Sequence, residues 1–132
     1  MGSYFRCLGK YATFSGRSTR GEFWGYTIVH MILLGGMFYF YFTAGDELSR
    51  NVSTAVVVMY IILTFCPSLA VTSRRWHDIG RTGIWLWLNL VIGIGTIVTF
   101  GFMLTQGEEG TNEYGRNPRE RKIRRKKRKK QA

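Results

Sequence analysis

The sequence predicts an all-α membrane protein, a small bundle of two full transmembrane helices plus a third apolar segment, re-entrant or spanning, with an N-terminal interfacial helix. Two observations carry this. Residues 23–44, 52–72 and 84–105, which count to 22, 21 and 22, contain no Asp, Glu, Lys or Arg. A bilayer core of roughly 30 Å takes about 20 helical residues to cross. Three such stretches in 132 residues would leave a water-soluble domain almost no polar face. The second observation is where the charge sits. Residues 116–132 hold eleven Lys/Arg and one acid, whereas residues 1–115 hold eight bases and seven acids. The high isoelectric point and near-zero mean hydropathy therefore describe a basic tail joined to a nearly neutral membrane domain. The chain divides into an arm over residues 1–21, a membrane domain over 22–118 and a disordered polybasic tail over 119–132.

In the arm, residues 3–13 place Tyr4, Phe5, Leu8, Tyr11 and Ala12 on one helical face and Arg6 and Lys10 on another. That pattern suits a short helix lying in the interface. The turn Phe14-Ser15-Gly16-Arg17 leads to Thr19-Arg20-Gly21-Glu22, where Thr19 and Glu22 have the spacing of a capping box that opens the first apolar segment. Capping is the simpler reading of Glu22; the alternative is a partner for a nearby arginine, and the two are compatible. The first segment starts only at Phe23 and exceeds a signal-peptide core of about 7–15 residues, so it is expected to stay as an anchor.

Residues 45–51 form a short polar link, which makes segments one and two an antiparallel hairpin. Pro67 lies near the end of the second segment, where it can kink the helix just before Arg74 and Arg75. The third segment carries Gly93 and Gly95, which permit a break, and Asn89, which reads as interhelical glue. His30 lies inside the first segment and is expected to bond to a backbone carbonyl or to Thr64; a polar intramembrane group also raises the prospect of function. Cys7 and Cys66 are isolated thiols without metal-ligand or disulfide spacing, read as inert, with Cys7 a weak palmitoylation candidate.

The bases orient the chain. Arg6, Lys10, Arg17 and Arg20 lie in the arm, Arg50 in the first link, Arg74, Arg75 and Arg81 in the second, and eleven in the tail. The positive-inside rule puts arm, 73–83 link and tail in the cytoplasm. Three full crossings place either seven or twelve bases inside. A third segment that re-enters, broken near Gly93-Ile94-Gly95, places eighteen inside and one outside, and halves of about ten residues reach roughly 15 Å, half the core. Trp24, Trp76, Trp85 and Trp87 all mark the same interface, with Tyr39 and Tyr41 at the opposite one.

Four pieces of the chain resemble the DUF805 family of small bacterial inner-membrane proteins. They are Phe14-Ser-Gly-Arg17-Ser-Thr-Arg20-Gly-Glu22-Phe-Trp24, Pro67-Ser-Leu-Ala-Val, Arg74-Arg75-Trp-His77-Asp78-Ile-Gly80-Arg-Thr-Gly83-Ile-Trp85, and Gly107-Glu-Glu-Gly110-Thr-Asn112-Glu-Tyr114-Gly115-Arg-Asn-Pro118. The resemblance runs nearly to Pro118 and implies a membrane fold and a bacterial inner-membrane location. The family name carries no biochemical role, and the tail extends beyond the family core.

The block Arg74 to Trp85 concentrates the chemistry. Either arginine can fork a phosphate or carboxylate, and His77 can exchange a proton near neutral pH. Neighbours in sequence do not face each other on a helix, so a His77–Asp78 dyad does not follow from proximity. Two readings compete for Arg17, Arg20, Glu22, Arg74, Arg75, His77, Asp78 and Asn112. In the first they pair among themselves, Arg17 or Arg20 with Asp78 and Arg74 or Arg75 with Glu22, while Asn112 caps or braces the link. In the second they bind anionic lipid headgroups or another ligand. Tyr114 is expected in a turn resting on the interface.

No catalytic residue, metal site or cofactor is assigned, since the sequence offers neither an activated nucleophile nor a metal trio. The tail reads as a binder of anionic phospholipid, at about 1 kcal/mol per base near the surface. It has no aromatic residues interleaved after Tyr114, so specific nucleic-acid binding is not expected. The sequence thus points to a non-enzymatic membrane protein that engages anionic headgroups or a protein partner. The alternatives are a small oligomeric transporter or channel subunit, with His30 and Asn89 facing one cavity, and a lipid-modifying enzyme using His77.

Overall fold

A computed structural model describes residues 2–90 and 94–120. Its elements in chain order are α1 (Gly2–Leu8), α2 (Arg20–Thr43), α3 (Glu47–Asp78), a 3-10 helix (Gly83–Leu90), α4 (Ile94–Leu104) and a two-residue hairpin of β1 (Thr111–Asn112) and β2 (Gly115–Arg116). The strands pair antiparallel, Thr111 opposite Arg116 and Asn112 opposite Gly115. Gly93 of the expected break, the side chain of Asn89 and residues 121–132 of the basic tail lie outside the described residues.

Local chemistry starts and stops each long helix. Thr19 caps α2, its hydroxyl accepting from the Glu22 N–H at 3.2 Å. Asp46 caps α3, accepting from the Ser49 N–H at 2.8 Å and the Ser49 hydroxyl at 2.7 Å. Those two donors hold the Asp46 carboxyl below its usual range. Only three residues separate α2 from α3, so the helices fold back as an antiparallel pair, with Tyr26 facing Thr64 and Ser68 and His30 facing Tyr60. At the far end of α3, Gly80 takes a left-handed φ of 70°, and the Arg81 N–H returns to the Trp76 carbonyl at 3.0 Å. Glycine is the residue that reaches this conformation without a Cβ penalty. Helix α3 runs unbroken through Pro67 and carries 32 residues, about 48 Å at 1.5 Å per residue, so its Arg74–Asp78 turn projects past the uncharged stretch.

Both α2 and α3 are long and apolar enough to cross a membrane, yet their most apolar windows are only 11 % and 28 % buried within the chain. Water would not tolerate so much bare hydrocarbon, and lipid would. The core sits instead at one end of the hairpin, where α2 begins and α3 finishes. Tyr4, Cys7, Phe23, Tyr26, Val71, Trp76 and Met103 form it, with Trp24, Trp85 and Phe102 packed around them. Trp76 is fully buried, stacked on Trp85 at 5.6 Å and set against Phe102 at 5.4 Å. Trp76 is therefore a core residue, whereas Trp87 is 68 % exposed.

Trp85 lies near the start of the third apolar segment and Phe102 near its end. Both touch Trp76, so the two ends of residues 84–105 meet at the same place. The 3-10 helix and α4 pack against one another and would each extend about 16 Å at their normal rises.

Helix α1 departs from its expected face. Tyr4 stacks on Tyr26 at 5.3 Å, its hydroxyl lies 3.2 Å from that of Tyr60, and Cys7 is fully buried beside Glu22. Phe5 and Tyr11, assigned with Tyr4 to one apolar side, are exposed. Since Cys7 lies by Glu22 and Tyr4 by Tyr26, α1 runs antiparallel along the first turns of α2. His30 Nδ1 bonds to the Tyr60 hydroxyl at 2.9 Å, so its partner is neither a carbonyl nor Thr64. The Thr64 hydroxyl is already spent on the Tyr60 carbonyl at 2.7 Å.

Candidate functional site: a buried arginine knot

The residues singled out in the sequence gather where α2 begins, α3 ends and residues 105–117 pass. Helix α3 supplies Arg74, Arg75, His77 and Asp78 on its last turn and a half. The loop before α2 supplies Arg17, held in place by the Ser18 N–H donating to the Arg74 carbonyl at 2.9 Å. Arg17 is then saturated. Its Nε donates to Asp78 Oδ1 at 2.9 Å, Nη1 to the carbonyls of Gly110 at 2.9 Å and Gly115 at 3.4 Å, and Nη2 to those of Asp78 at 3.3 Å and Glu108. Arg75 takes the other Asp78 oxygen and donates to the Met103 and Thr105 carbonyls. One buried carboxylate thus sits between two buried guanidiniums, whose other bonded donors collect backbone carbonyls from the end of α3, the end of α4 and the chain that follows, while Arg75 Nε has no acceptor among the described residues. Arginine suits this role because it forks five donors in a fixed plane.

The pairing with Asp78 goes to Arg17, not Arg20. Arg20 stands apart on the exposed side, where Nη1 donates to the Leu104 carbonyl at 2.9 Å. Arg74 reaches Glu22 at 3.5 Å. The Glu22 carboxylate therefore serves an arginine, while the Thr19 half of the capping box is made separately. Asn112 braces the link: Nδ2 donates to the His77 carbonyl and to Glu108 Oε2, both at 2.9 Å, and Oδ1 accepts from the Tyr114 N–H at 3.1 Å.

His77 Nδ1 lies 3.2 Å from the Gly16 carbonyl. A carbonyl only accepts, so the Nδ1 proton is assigned by this partner. Its ring stacks on Tyr114 with centroids 3.8 Å apart and planes 1° from parallel. Tyr114 therefore rests on His77. Asp78 is committed to Arg17 and Arg75, so among the described residues no carboxylate orients the imidazole, as general acid–base work would favour.

Three contributors went unread in the sequence. Glu108 acts through its backbone, its N–H donating to the Asp78 carbonyl at 2.8 Å and its carbonyl accepting from Arg17 and from Asn117 Nδ2 at 3.0 Å. Lys10 lies 4.0 Å from Glu22. Cys7 completes the packing there. Burial and the nearby Glu22 carboxylate push its thiol up, which keeps it protonated and unreactive. Among the described residues no group of three His, Cys, Asp or Glu is placed to hold a metal ion.

The comparisons with known proteins bear on the whole unit. A family model described as "Protein of unknown function (DUF805)" matches residues 11–116, which takes in Arg17, Glu22, Arg74, Arg75, His77, Asp78 and Asn112. The chain is 35 % identical over 116 residues to "Inner membrane protein YhaI" of Escherichia coli strain K12, covering 88 % of this chain and 94 % of the relative. It is 31 % identical over 125 residues to "Inner membrane protein YhaH" of the same strain, covering 90 % and 98 %. No solved structure matches. The family match over residues 11–116 and two relatives more than 30 % identical along nearly their whole lengths make the chain a member of the DUF805 family.

Proposed function

We propose that the chain is a non-enzymatic, multi-pass inner-membrane protein whose arm, 73–83 link and tail face the cytoplasm, and whose arginine knot clasps the bundle and engages anionic phospholipid. The observation that carries this reading is the charge balance of the knot. Arg17, Arg74 and Arg75 are buried, at 7 %, 1 % and 0 % exposure, and their carboxylate partners are Asp78 and Glu22. Three positive charges set against two negative ones leave a surplus of one. A buried uncompensated charge is expensive, and at a membrane surface the nearest abundant counter-charge is a headgroup phosphate.

The meeting of both ends of residues 84–105 at Trp76 supports a re-entrant third segment. That arrangement keeps eighteen of the nineteen bases on one side. A C-terminal green fluorescent protein fusion is expected to fluoresce, and an alkaline phosphatase fusion at the same point to be inactive. The opposite pair of results would sink the re-entrant topology.

For the lipid part, protein purified in dodecyl maltoside is expected to melt at a higher temperature with added phosphatidylglycerol than with equimolar phosphatidylcholine. Equal midpoints would remove anionic-lipid engagement from the reading.

A further inference from the structure

We infer that the corner where Arg74, Lys10 and Glu22 meet is a phosphate-binding site in which the Glu22 carboxylate stands in for the ligand. The inference rests on the proposed engagement of anionic headgroups and gives it an address distinct from the tail. Arg74 is 1 % exposed. Its Nε donates to the Ala70 carbonyl at 3.1 Å and its Nη1 to Glu22 at 3.5 Å. Its Nη2, closed off from solvent, has no acceptor among the described residues. A buried guanidinium nitrogen without an acceptor bears the desolvation cost of a charged group and calls for an explanation; Arg75 Nε is in the same position on the Asp78 side, but with no accessible neighbour to match it to a ligand.

Glu22 fills the corner poorly. One of its oxygens, Oε1, faces Arg74 at 3.5 Å, Cys7 Sγ at 3.9 Å and Lys10 Nζ at 4.0 Å. All three are long. Asp78, one helical turn beyond Arg74 in the same knot, holds Arg17 at 2.9 Å and also binds Arg75. The knot is therefore tight at Asp78 and slack at Glu22. The slack side is also the accessible one: the side chains of Glu22 and Lys10 are 15 % and 50 % exposed. It lies where the first apolar segment begins, the level at which lipid phosphates sit.

A phosphate matches what Glu22 leaves undone. Two of its oxygens can accept the parallel Nη1 and Nη2 donors of Arg74, and a further oxygen can meet Lys10. Glu22 then swings toward water, giving up only its three long contacts, and the surplus positive charge acquires its counter-ion. The shared chemistry is the phosphate group, carried by a phospholipid headgroup or by free inorganic phosphate.

The test is a lipid titration of thermal stability in dodecyl maltoside, using phosphatidylglycerol, diacylglycerol as the phosphate-free lipid, and inorganic phosphate. Wild type is expected to gain from phosphatidylglycerol and not from diacylglycerol. A matching gain from inorganic phosphate would assign the site to free phosphate; no gain from it would assign the site to the headgroup. Lys10→Gln should weaken the response roughly two- to fivefold, as expected of an exposed charge. Arg74→Lys, which keeps the charge and loses the fork, should weaken it about tenfold. Glu22→Gln should lower the lipid-free midpoint but tighten phosphatidylglycerol about fivefold, because the competing charge is gone.

The Lys10 and Glu22 variants alter partly exposed side chains, so they test the site even if Arg74→Lys fails to fold. Unchanged or weaker binding in Glu22→Gln, or wild-type binding in Lys10→Gln, would overturn the inference. If wild type responds and Lys10→Gln responds equally, while protein ending at residue 118 does not respond, the lipid sits on the tail. The proposed function then stands and this site falls. No response in wild type would remove both.

Discussion

Asp78→Asn is expected to destabilise the fold by about 3–5 kcal/mol, the range found when one partner of a buried ion pair is deleted. The carboxylate is 4 % exposed and lies between Arg17 and Arg75, whose side chains are 1 % and 0 % exposed. Asparagine keeps the shape and removes the charge, so two buried guanidiniums are left facing each other across a neutral amide. Native stabilities are only about 5–15 kcal/mol, which makes this loss a large share of the total. Thermal melting in mild detergent and the protein yield recovered from membranes both report it. A midpoint within about one degree of wild type would mean that Asp78 does not hold the knot together.

Gly107→Ala is expected to cost about 3 kcal/mol and to release the strand hairpin that follows α4. An added Cβ at this position would overlap the Asp78 carboxylate and sit 3.0 Å from the Asp78 carbonyl oxygen. The carboxylate cannot step aside, because Arg17 and Arg75 hold both oxygens. The carbonyl cannot either, since it accepts from Glu108 N–H at 2.8 Å. Overpacking a rigid site typically costs 1–3 kcal/mol, here added to a disturbed ion pair. Gly101→Ala is the matched control, with nothing within 4 Å of its added Cβ, and should leave the midpoint unchanged or raise it. Limited proteolysis between residues 105 and 117 separates the two variants. Equal cleavage in both would show that Gly107 is not pressed against Asp78.

The sequence made the long elements legible because lipid imposes one rule: uncharged runs of about 20 residues become helices. The same rule made the knot partly legible. Charges at the ends of such runs have few places to go, so Arg17 with Asp78 and Arg74 with Glu22 were foreseeable as pairs, and Asn112 as a brace. What stayed hidden depends on backbone. Arg17 spends most of its donors on the carbonyls of residues 78, 108, 110 and 115, and carbonyls carry no sequence signature. The buried face of α1 was hidden for a related reason. Tyr4, Phe5 and Tyr11 look alike by hydropathy, and only the docking of α1 on α2 decides that Tyr4 goes inward while Phe5 faces outward. Trp76 misled in the same way: tryptophan at the end of an apolar run reads as a belt residue until a neighbouring segment folds over it.

The bonds of Arg17 also set a timetable. Its partners lie 61, 91, 93 and 98 residues further along the chain, and contacts of such long separation form late. During synthesis the α2–α3 hairpin can enter the membrane with its short-range contacts complete, while Arg17 and Arg75 still wait for carbonyls that have not been made. Until residues 103–115 emerge, the two guanidiniums share only the Asp78 carboxylate and lack the backbone carbonyls that complete their bonding. The last-made part of the membrane domain would therefore decide when the first-made part is locked.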